Sequence, residues 1–231
     1  MIDRLCVGGT ERQLLELLKG LDRAKFELYL GCLSGVHSNI QKYLPEGWNV
    51  KTITLDVQST YSLAALSGII RLRRFIRSES IDIVQSFLLK SKFMGSIAGK
   101  LARAKTVSCM RDLGLYINPA GMLPLKLANI CTDWFLVNSM STRNYLMRAQ
   151  RIHPDLIDVV YNGVDMMKFR PSGPQEKSQR KMSLGIDPAA IVIGVVANPF
   201  PVKGLNYFIQ AAAAISREYE KVYFVIVGKG T

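Results

Sequence analysis

Apolar runs of strand length alternate with amphipathic runs of helix length along most of this chain. Leucines at helical spacing between Glu11 and Leu21 are followed by an apolar run from Phe26 to Leu33. The same alternation predicts a helix over Leu63–Ser78 and a strand over Ile81–Ser86. Strands that alternate with helices form βαβ units and therefore a parallel sheet. The sequence predicts an α/β protein built on a doubly wound parallel sheet.

The remaining elements follow the same order. Helices are predicted at 38–44, 92–102, 125–130 and 142–149, and strands at 50–55, 106–110, 134–138 and 157–161. The segment Asp112–Pro124 is rich in Gly and Pro, and we interpret it as a loop at the mouth of the sheet and as an acceptor-side lid. Only Met1–Val7 precede the first glycine turn, so the opening strand is expected to be largely missing.

A second domain is predicted to begin after a polar link. We assign residues 1–170 to an N-terminal domain, 171–188 to the link, and 189–231 to the start of a C-terminal domain. In that last part, Pro201–Gly204 lies between a strand-like run, Ile191–Ala197, and a helix-like run that begins at Leu205. The carboxyl edge of a strand is where open α/β sheets hold anionic ligands. A phosphate-bearing substrate is therefore expected, although a lysine-glycine turn alone is more often a solvated loop.

Four segments in this order carry a family resemblance. They are Val7–Leu15 with its Gly-Gly pair, Val160–Asp165, Pro201–Gly204 and Phe224–Gly230. Together they resemble the retaining glycosyltransferases of family 4, which have the two-domain GT-B fold, and the resemblance covers essentially the whole chain. It implies transfer of a sugar from a nucleotide diphosphate donor to a hydroxyl or lipid-linked sugar acceptor. It also implies that the first domain holds the acceptor, that the second holds the donor, and that neither a metal nor another cofactor is needed.

The resemblance assigns donor-binding residues in both domains. Gly8 and Gly9 match the family's glycine loop, which meets the donor diphosphate, although a turn requiring positive φ would explain the pair equally well. Lys203 matches the lysine that contacts the donor phosphates. Asn198 stands where the family usually has an arginine, so a weaker clamp or one based on hydrogen bonds is expected. The family's paired glutamates would lie beyond Thr231, and we expect no transferase activity from these residues alone.

Acceptor-side residues are also suggested by the resemblance. Arg111 matches a basic position that faces the cleft, where it could hold an acceptor phosphate or the sugar. An ion pair with Asp112 or Asp133 is about equally consistent with the sequence. Asn162-Gly163 matches the family's turn before the hinge and is interpreted as mainly structural.

No catalytic residue can be assigned. Gln85 and Phe87 stand where family members often have histidines, and Gln85 is kept as a candidate cleft residue. Asn138, with the serine that follows it, is expected to cap a helix close to the cleft. The two histidines, His37 and His153, are expected at the surface.

The net charge of +12 constrains the partners. Most of the excess lies in residues 1–170, including four arginines between Arg71 and Arg77 in one predicted helix. A basic helix face can bind an anionic membrane or nucleic acid, but it is more often simply solvated. The resemblance favours peripheral membrane contact, and since no nucleic-acid-binding signature is present, we expect no nucleic-acid partner.

Other function classes are disfavoured. The four cysteines form no C-x-x-C pair, which argues against a zinc site. Neither an apolar run of membrane-spanning length nor a leader pattern is present, so a cytoplasmic protein is expected. Two alternatives remain open: a sugar-nucleotide epimerase of the same fold, and a non-catalytic module that binds anions or nucleic acid through the basic first domain.

Overall fold

The protein consists of two compact units, Met1–Gly163 (unit 1) and Val164–Thr231 (unit 2). The computed structural model describes residues 1–5, 8–34, 50–60, 62–111 and 122–228. The helix predicted at 38–44, most of the predicted lid, and His37 therefore lie outside the described residues. The domain limit placed at residue 170 stays a prediction.

Unit 1 alternates helices and strands as the periodicity indicates. Its helices are α1 (Gly9–Gly20), α2 (Leu63–Ser78), α3 (Leu89–Ala102), α4 (Met122–Ile130) and α5 (Met140–Ala149). Its strands are β1 (Tyr29–Cys32), β2 (Lys51–Thr54), β3 (Ile83–Phe87), β4 (Lys105–Met110), β5 (Trp134–Val137) and β6 (Ile157–Val159). Helix α2 has the predicted bounds, and the other predicted elements in the described ranges are present with shifted ends. The predicted lid was drawn too long, because α4 already includes Pro124, which a first helical turn tolerates.

The strands of unit 1 form two parallel ladders. Strands β3, β4, β5 and β6 pair in that order, and β1 pairs with β2. Ile2 joins the two ladders, because its backbone bridges Cys32 at the end of β1 and Phe87 at the end of β3. The parallel order 2-1-3-4-5-6 across this bridge is that of an open α/β sheet.

Helices cover both faces of the sheet. Leu14 and Leu18 of α1 pack with Leu30, Phe87 and Cys109 on one face. Alternate strand residues point to the other face, where α2 and α3 pack against them. This arrangement confirms the predicted doubly wound α/β fold. No helix within the described ranges is long and apolar enough to cross a membrane.

Unit 2 is a smaller α/β arrangement. It contains α6 (Pro174–Ser183), β7 (Ile191–Val196), α7 (Leu205–Ile215) and β8 (Val222–Val227). Strands β7 and β8 pair in parallel over six residues each, with α7 as the crossover. Helix α6 falls within residues 171–188, which were predicted as a polar link between domains, and it buries none of its own residues. The assignment of these residues as a link stays a prediction. Pro174 starts this helix, and Glu176 pairs with Arg180 one turn later at 2.7 Å.

Lys92 is an unusual member of the core of unit 1. The side chain is 1% exposed, and its Nζ lies 2.5 Å from Asn129 Oδ1 and 4.8 Å from the ring centroid of Phe135. Asn129 in turn donates to Gln150 Oε1 at 2.9 Å. Burial lowers the pKa of Lys92 from 10.5 to about 7. An amide oxygen and an aromatic ring thus contact the Lys92 ammonium, and burial of its charge reduces the stability of the folded state.

We expect Lys92→Met to stabilise the protein at pH 7, on the order of 3 kcal/mol, because methionine has no charge to bury. The unfolded chain holds the lysine proton more tightly than the folded chain. Stability of the parent protein should therefore rise as pH increases from about 7 to about 10.5, and the variant should lack this rise. Urea unfolding at several pH values measures both effects.

Lys126→Met is the matched control, since Lys126 is an exposed lysine on α4. It should change neither the stability at pH 7 nor its pH dependence by more than a few tenths of a kcal/mol. A loss of stability in Lys92→Met would contradict the expectation and would show that the amide contact outweighs the burial cost.

Candidate functional site

Polar side chains gather at the carboxyl edge of the four-stranded ladder in unit 1. Arg111 follows β4 directly, Asn138 follows β5 directly, and Asn162 comes shortly after β6. Parallel strands end at one edge, so the fold brings these residues together although they are far apart in sequence. Contacts between these side chains join them in one polar cluster at this edge.

Arg111 lies at the centre of this site. Its guanidinium donates to Asn162 Oδ1 and sits 5.4 Å from the ring centroid of Phe87. Asn138 Nδ2 donates to the Arg111 carbonyl at 3.4 Å. The Nε of Arg111 is buried without a hydrogen-bond partner among the described residues. A buried, unpaired guanidinium N–H is costly, and an anionic or hydroxyl ligand would relieve that cost.

The alternative ion pair for Arg111 is not supported for Asp133. Asp133 instead accepts from Lys100 Nζ at 3.0 Å and from the backbone N–H of Thr106 at 2.9 Å. These contacts hold the pKa of Asp133 below its usual range in spite of partial burial. Asp112 lies outside the described residues. Within the described part of the chain, the partners of the Arg111 guanidinium are therefore an amide and an aromatic ring.

Two contacts at this edge were not predicted. Asn162 was interpreted as a structural turn residue, yet its side chain holds Arg111. Gln13, one helical turn beyond Gly9, donates from Nε2 to the Gly163 carbonyl at 2.9 Å. This bond ties α1 to the segment that follows β6. Gln13 does not belong to the buried face of α1, so nothing in the sequence signalled this contact.

Gly8 and Gly9 occupy the amino end of α1. Gly8 precedes the helix with φ −154° and ψ 169°, and neither glycine has a positive φ. The alternative of a turn that requires positive φ is therefore wrong. A Cβ on Gly8 would collide with Glu11 Oε2, whereas a Cβ on Gly9 would have no heavy atom within 4 Å. The Glu11 carboxylate thus lies at the positive end of its own helix, where a diphosphate was expected.

Gln85 and Asn138 differ in their surroundings. Gln85 lies in the middle of β3, where its Nε2 contacts Cys109 Sγ at 3.0 Å and its carbonyl accepts from the Met1 ammonium at 2.7 Å. The structure therefore brings Asn138 to Arg111 and places Gln85 in contact with Cys109 instead. The expected helix cap is confirmed for Ser139, whose hydroxyl accepts from the Thr142 backbone N–H at 3.1 Å.

The residues predicted to bind the donor, Asn198 and Lys203, lie in unit 2 after the end of β7. Asn198 is exposed just after the strand, and Lys203 is exposed at the end of a 3₁₀ turn, Pro201–Lys203. Gly204 has φ +65° and begins α7, which is a conformation that glycine adopts without strain. The lysine is therefore presented beside the amino end of a helix, where backbone N–H groups favour an anion.

Metal-binding side chains are scattered. In the described ranges, no three His, Cys, Asp or Glu side chains come together as a group that could hold a metal ion. His153 is exposed and lies 3.6 Å from Asp155, as expected for a surface residue.

Comparisons with known proteins show the family of the chain. A family model described as Glycosyltransferase Family 4 matches residues 7–168. The chain is 24% identical over 236 residues to the UDP-Gal:alpha-D-GlcNAc-diphosphoundecaprenol alpha-1,3-galactosyltransferase of Escherichia coli, covering 97% of this chain and 59% of that protein. The chain thus spans less than two thirds of that relative.

Solved structures show the same fold. A crystal structure of Anabaena HepE in complex with UDP superposes with a TM-score of 0.78 at 22% identity, over all of this chain and 60% of that one. The UDP-GlcNAc 2-epimerase of Neisseria meningitidis, bound to UDP-GlcNAc, gives a TM-score of 0.62 at 16% identity, over 94% and 61%. The arrangement of elements is shared by transferases and epimerases.

We expect Gly8→Ala and Gly9→Ala to change the free energy of unfolding in opposite directions. The Gly8 variant must displace the Glu11 carboxylate from the helix end, so it should lose roughly 0.5–1.5 kcal/mol of stability. The Gly9 variant lies inside the helix with open space around it, so it should gain a few tenths to 1 kcal/mol. Urea unfolding of both variants measures the difference, and equal effects would show that Glu11 does not constrain Gly8.

Proposed function

Because the chain belongs to glycosyltransferase family 4, we propose that it forms the acceptor half, and part of the donor half, of an enzyme that transfers a sugar from a nucleoside diphosphate donor to a hydroxyl group. In this reaction the bond between sugar C1 and the donor phosphate oxygen breaks, and a bond from C1 to the acceptor oxygen forms with retention. The nucleoside diphosphate leaves, and the hydroxyl proton is released.

The proposed acceptor class is based mainly on the contacts of Arg111. Its guanidinium lies over an aromatic ring, has one amide partner, Asn162, and retains a buried N–H without a partner among the described residues. Such a group suits an acceptor that brings its own negative charge, and a guanidinium can bind phosphate oxygens in a bidentate manner. The name of the E. coli relative specifies a diphosphate-linked acceptor. We therefore propose a sugar linked to a lipid diphosphate as the acceptor class.

Lys203 is proposed to hold the donor diphosphate. Negative charge grows on the leaving phosphate oxygen as the sugar bond breaks, and an ammonium beside it stabilises that charge most in the transition state. The first N–H groups of α7 add to this effect. Asn198 contributes a neutral amide at the end of β7, so Lys203 is the proposed source of positive charge.

A membrane-facing surface is part of the proposal. The outer face of α2 carries Leu63, Leu66 and Ile70 in its first half, and Leu63 is 87% exposed. Arg74 and Arg77 continue the same face and are exposed in its second half. Leucines that enter the headgroup region next to arginines that meet lipid phosphates fit an anionic bilayer. We propose a cytoplasmic protein with peripheral contact through this α2 face.

The epimerase alternative has structural support only at the level of the fold. Family membership favours the transferase, because the matching model spans unit 1, which holds the proposed acceptor site. The two functions differ in one measurable respect: an epimerase converts a sugar nucleotide without an acceptor. Conversion of UDP-GlcNAc by this protein in the absence of an acceptor would therefore support the epimerase alternative and contradict the proposal.

We expect Arg111→Met and Lys203→Met to affect different ligands. Arg111→Met should weaken binding of a GlcNAc-diphosphoryl-alkyl acceptor analogue about tenfold or more, since it removes the proposed phosphate-binding guanidinium. Lys203→Met should weaken binding of UDP by a similar factor. Isothermal titration of the 231-residue chain with each ligand separates the two sites.

Arg148→Met is the charge-matched control, because Arg148 is an exposed arginine on α5. It should leave both affinities within twofold. Arg111→Lys should recover only part of the acceptor affinity, because lysine lacks the planar fork. If Arg111→Met and Arg148→Met bind the acceptor analogue equally well, the acceptor assignment is wrong.

The α2 face predicts lipid-selective binding. The chain should co-sediment with vesicles that contain phosphatidylglycerol and not with pure phosphatidylcholine vesicles. The double variant Leu66→Ser/Ile70→Ser should lose most of this binding, because it removes apolar groups from the membrane contact. Each buried CH₂ group contributes roughly 0.8 kcal/mol to the free energy of membrane binding. Arg74→Gln/Arg77→Gln should weaken it and reduce its dependence on salt.

A matched variant on another helix tests whether the surface is specific. Leu123 and Leu127 are exposed on α4, and Leu123→Ser/Leu127→Ser removes similar apolar area from that helix. This variant should bind anionic vesicles as the parent does. Equal losses in the α2 and α4 variants would rule out α2 as the contact surface.

A further inference from the structure

The contact between Arg111 and Asn162 fixes the orientation of the Arg111 guanidinium. Nη1 of Arg111 donates to Asn162 Oδ1, and one face of the guanidinium lies over the ring of Phe87, with Cζ 5.4 Å from the ring centroid. Because a guanidinium is planar, one contact at its face and one at Nη1 define its orientation. The edge formed by Nε–H and Nη2 is on the opposite side of the group from Nη1. Nε is buried there without a partner among the described residues.

The local backbone does not explain why an asparagine stands at position 162. Neither Asn162 nor Gly163 has a positive φ, so this turn does not use the conformational freedom for which Asn-Gly pairs are favoured. A Cβ on Gly163 would also have no heavy atom within 4 Å. Asn162 is exposed, so its side chain could equally well face the solvent. The contact that it makes with Arg111 is therefore a property of the side chain and not a requirement of the turn.

The segment that carries Asn162 is anchored on both sides. The N–H of Val160 donates to the Val137 carbonyl at 2.8 Å, which extends the β5–β6 ladder by one hydrogen bond. Gln13 of α1 donates from Nε2 to the Gly163 carbonyl at 2.9 Å. The side chain of Asn162 thus starts from a fixed backbone, and less conformational entropy is lost when it makes its hydrogen bond.

The partner of Arg111 is neutral, which keeps the charge of the guanidinium available. An aspartate in the place of Asn162 would form an ion pair and would compensate the charge that attracts an anion. An amide oxygen accepts the same hydrogen bond without compensating the charge. The nearby Cys109 thiol is also neutral at pH 7, because burial raises its pKa. These contacts orient the guanidinium without neutralising it.

We infer that Asn162 is a positioning residue, which turns the Nε–Nη2 edge of Arg111 toward a phosphate group of the bound ligand. Two parallel N–H donors on this edge match two phosphate oxygens in a bidentate contact. The inference rests on the proposed acceptor role of Arg111 and deepens it. It assigns the phosphate to one edge of the guanidinium, and it gives the exposed side chain of Asn162 a role in binding.

NMR of the ligand-free chain measures the orientation directly. The Nε–H signal of Arg111 is assigned by its loss in Arg111→Lys, and in the parent it should be narrow and protected from exchange with solvent. Asn162→Ala should speed that exchange about tenfold or more, because it removes a hydrogen bond to a charged group. Asn162→Asp retains an acceptor at the same place, so it should retain the protection.

Anion affinity is the second measurement, with inorganic pyrophosphate and the GlcNAc-diphosphoryl-alkyl analogue as separate probes. Binding is followed at the backbone N–H signals of Arg111 and Asn138, which report on this site in every variant. Asn162→Ala should weaken pyrophosphate binding roughly three- to tenfold, because the edge is no longer oriented. Asn162→Asp should weaken it about tenfold or more, because the carboxylate compensates the guanidinium. An aspartate variant that keeps the orientation and loses the affinity separates the two contributions of Asn162.

Asn144→Asp is the charge-matched control, since Asn144 is exposed on α5. It should leave pyrophosphate affinity within twofold. If both Asn162 variants bind pyrophosphate as the parent does while Arg111→Met binds it weakly, the role of Arg111 stands and the inference is overturned. If Asn162→Ala fails to fold, undiminished binding by Asn162→Asp overturns it alone.

The two probes distinguish the inference from the proposed function. If the parent and Arg111→Met bind the acceptor analogue equally well, while pyrophosphate affinity depends on Arg111 and Asn162 as expected, the acceptor class is wrong and the positioning role of Asn162 stands. If neither probe shifts the signals of Arg111 and Asn138 in the parent, both the acceptor assignment and the inference are overturned.

Discussion

The backbone of Ile2 is the interaction on which the architecture of unit 1 depends. It is the residue through which the β1–β2 ladder is bridged to the ladder of β3 to β6. Its side chain is completely buried in the cluster that also holds Leu14 and Leu18 of α1. The position of α1 relative to β3 is thus set by one short extended segment.

The periodicity of the sequence predicted much of the fold because each element of unit 1 buries one face locally. Helix α2 shows this well: Ala65, Ile69, Leu72 and Ile76 are buried at helical spacing, and Ser62 accepts from Ala65 N–H as its cap. Helix α6 was missed because it buries none of its own residues, so it carries no apolar stripe. That helix is stabilised by residue propensity, by the proline at its start and by one ion pair. These signals are weak in a segment whose several prolines favour a loop.

The candidate site was harder to predict, since it depends on contacts between distant residues. Arg111 was suggested by the family resemblance and Asn138 was expected at a helix cap close to the cleft, and the structure brings the two together. The contact of Asn162 with Arg111 spans 51 positions and leaves no local trace in the sequence. The burial of Lys92 could not be predicted from the sequence for the same reason. Its burial depends on tertiary packing with Asn129 and Phe135, which the sequence does not show.

The neutral surroundings of Arg111 have a consequence for what it can bind. A carboxylate partner would compete with any incoming anion, whereas an amide oxygen and a ring face satisfy the guanidinium only in part. The turn in unit 2 that carries Lys203, proposed to bind the donor, is positioned differently, by backbone packing. A Cβ on Gly228 would overlap the carbonyl of Ala197, so the end of β8 lies directly against the residue before Asn198. Side chains on both strands, such as Val196 and Val227, are exposed. The backbone contact, rather than a packed core, therefore fixes where β7 ends and where the turn to Lys203 begins.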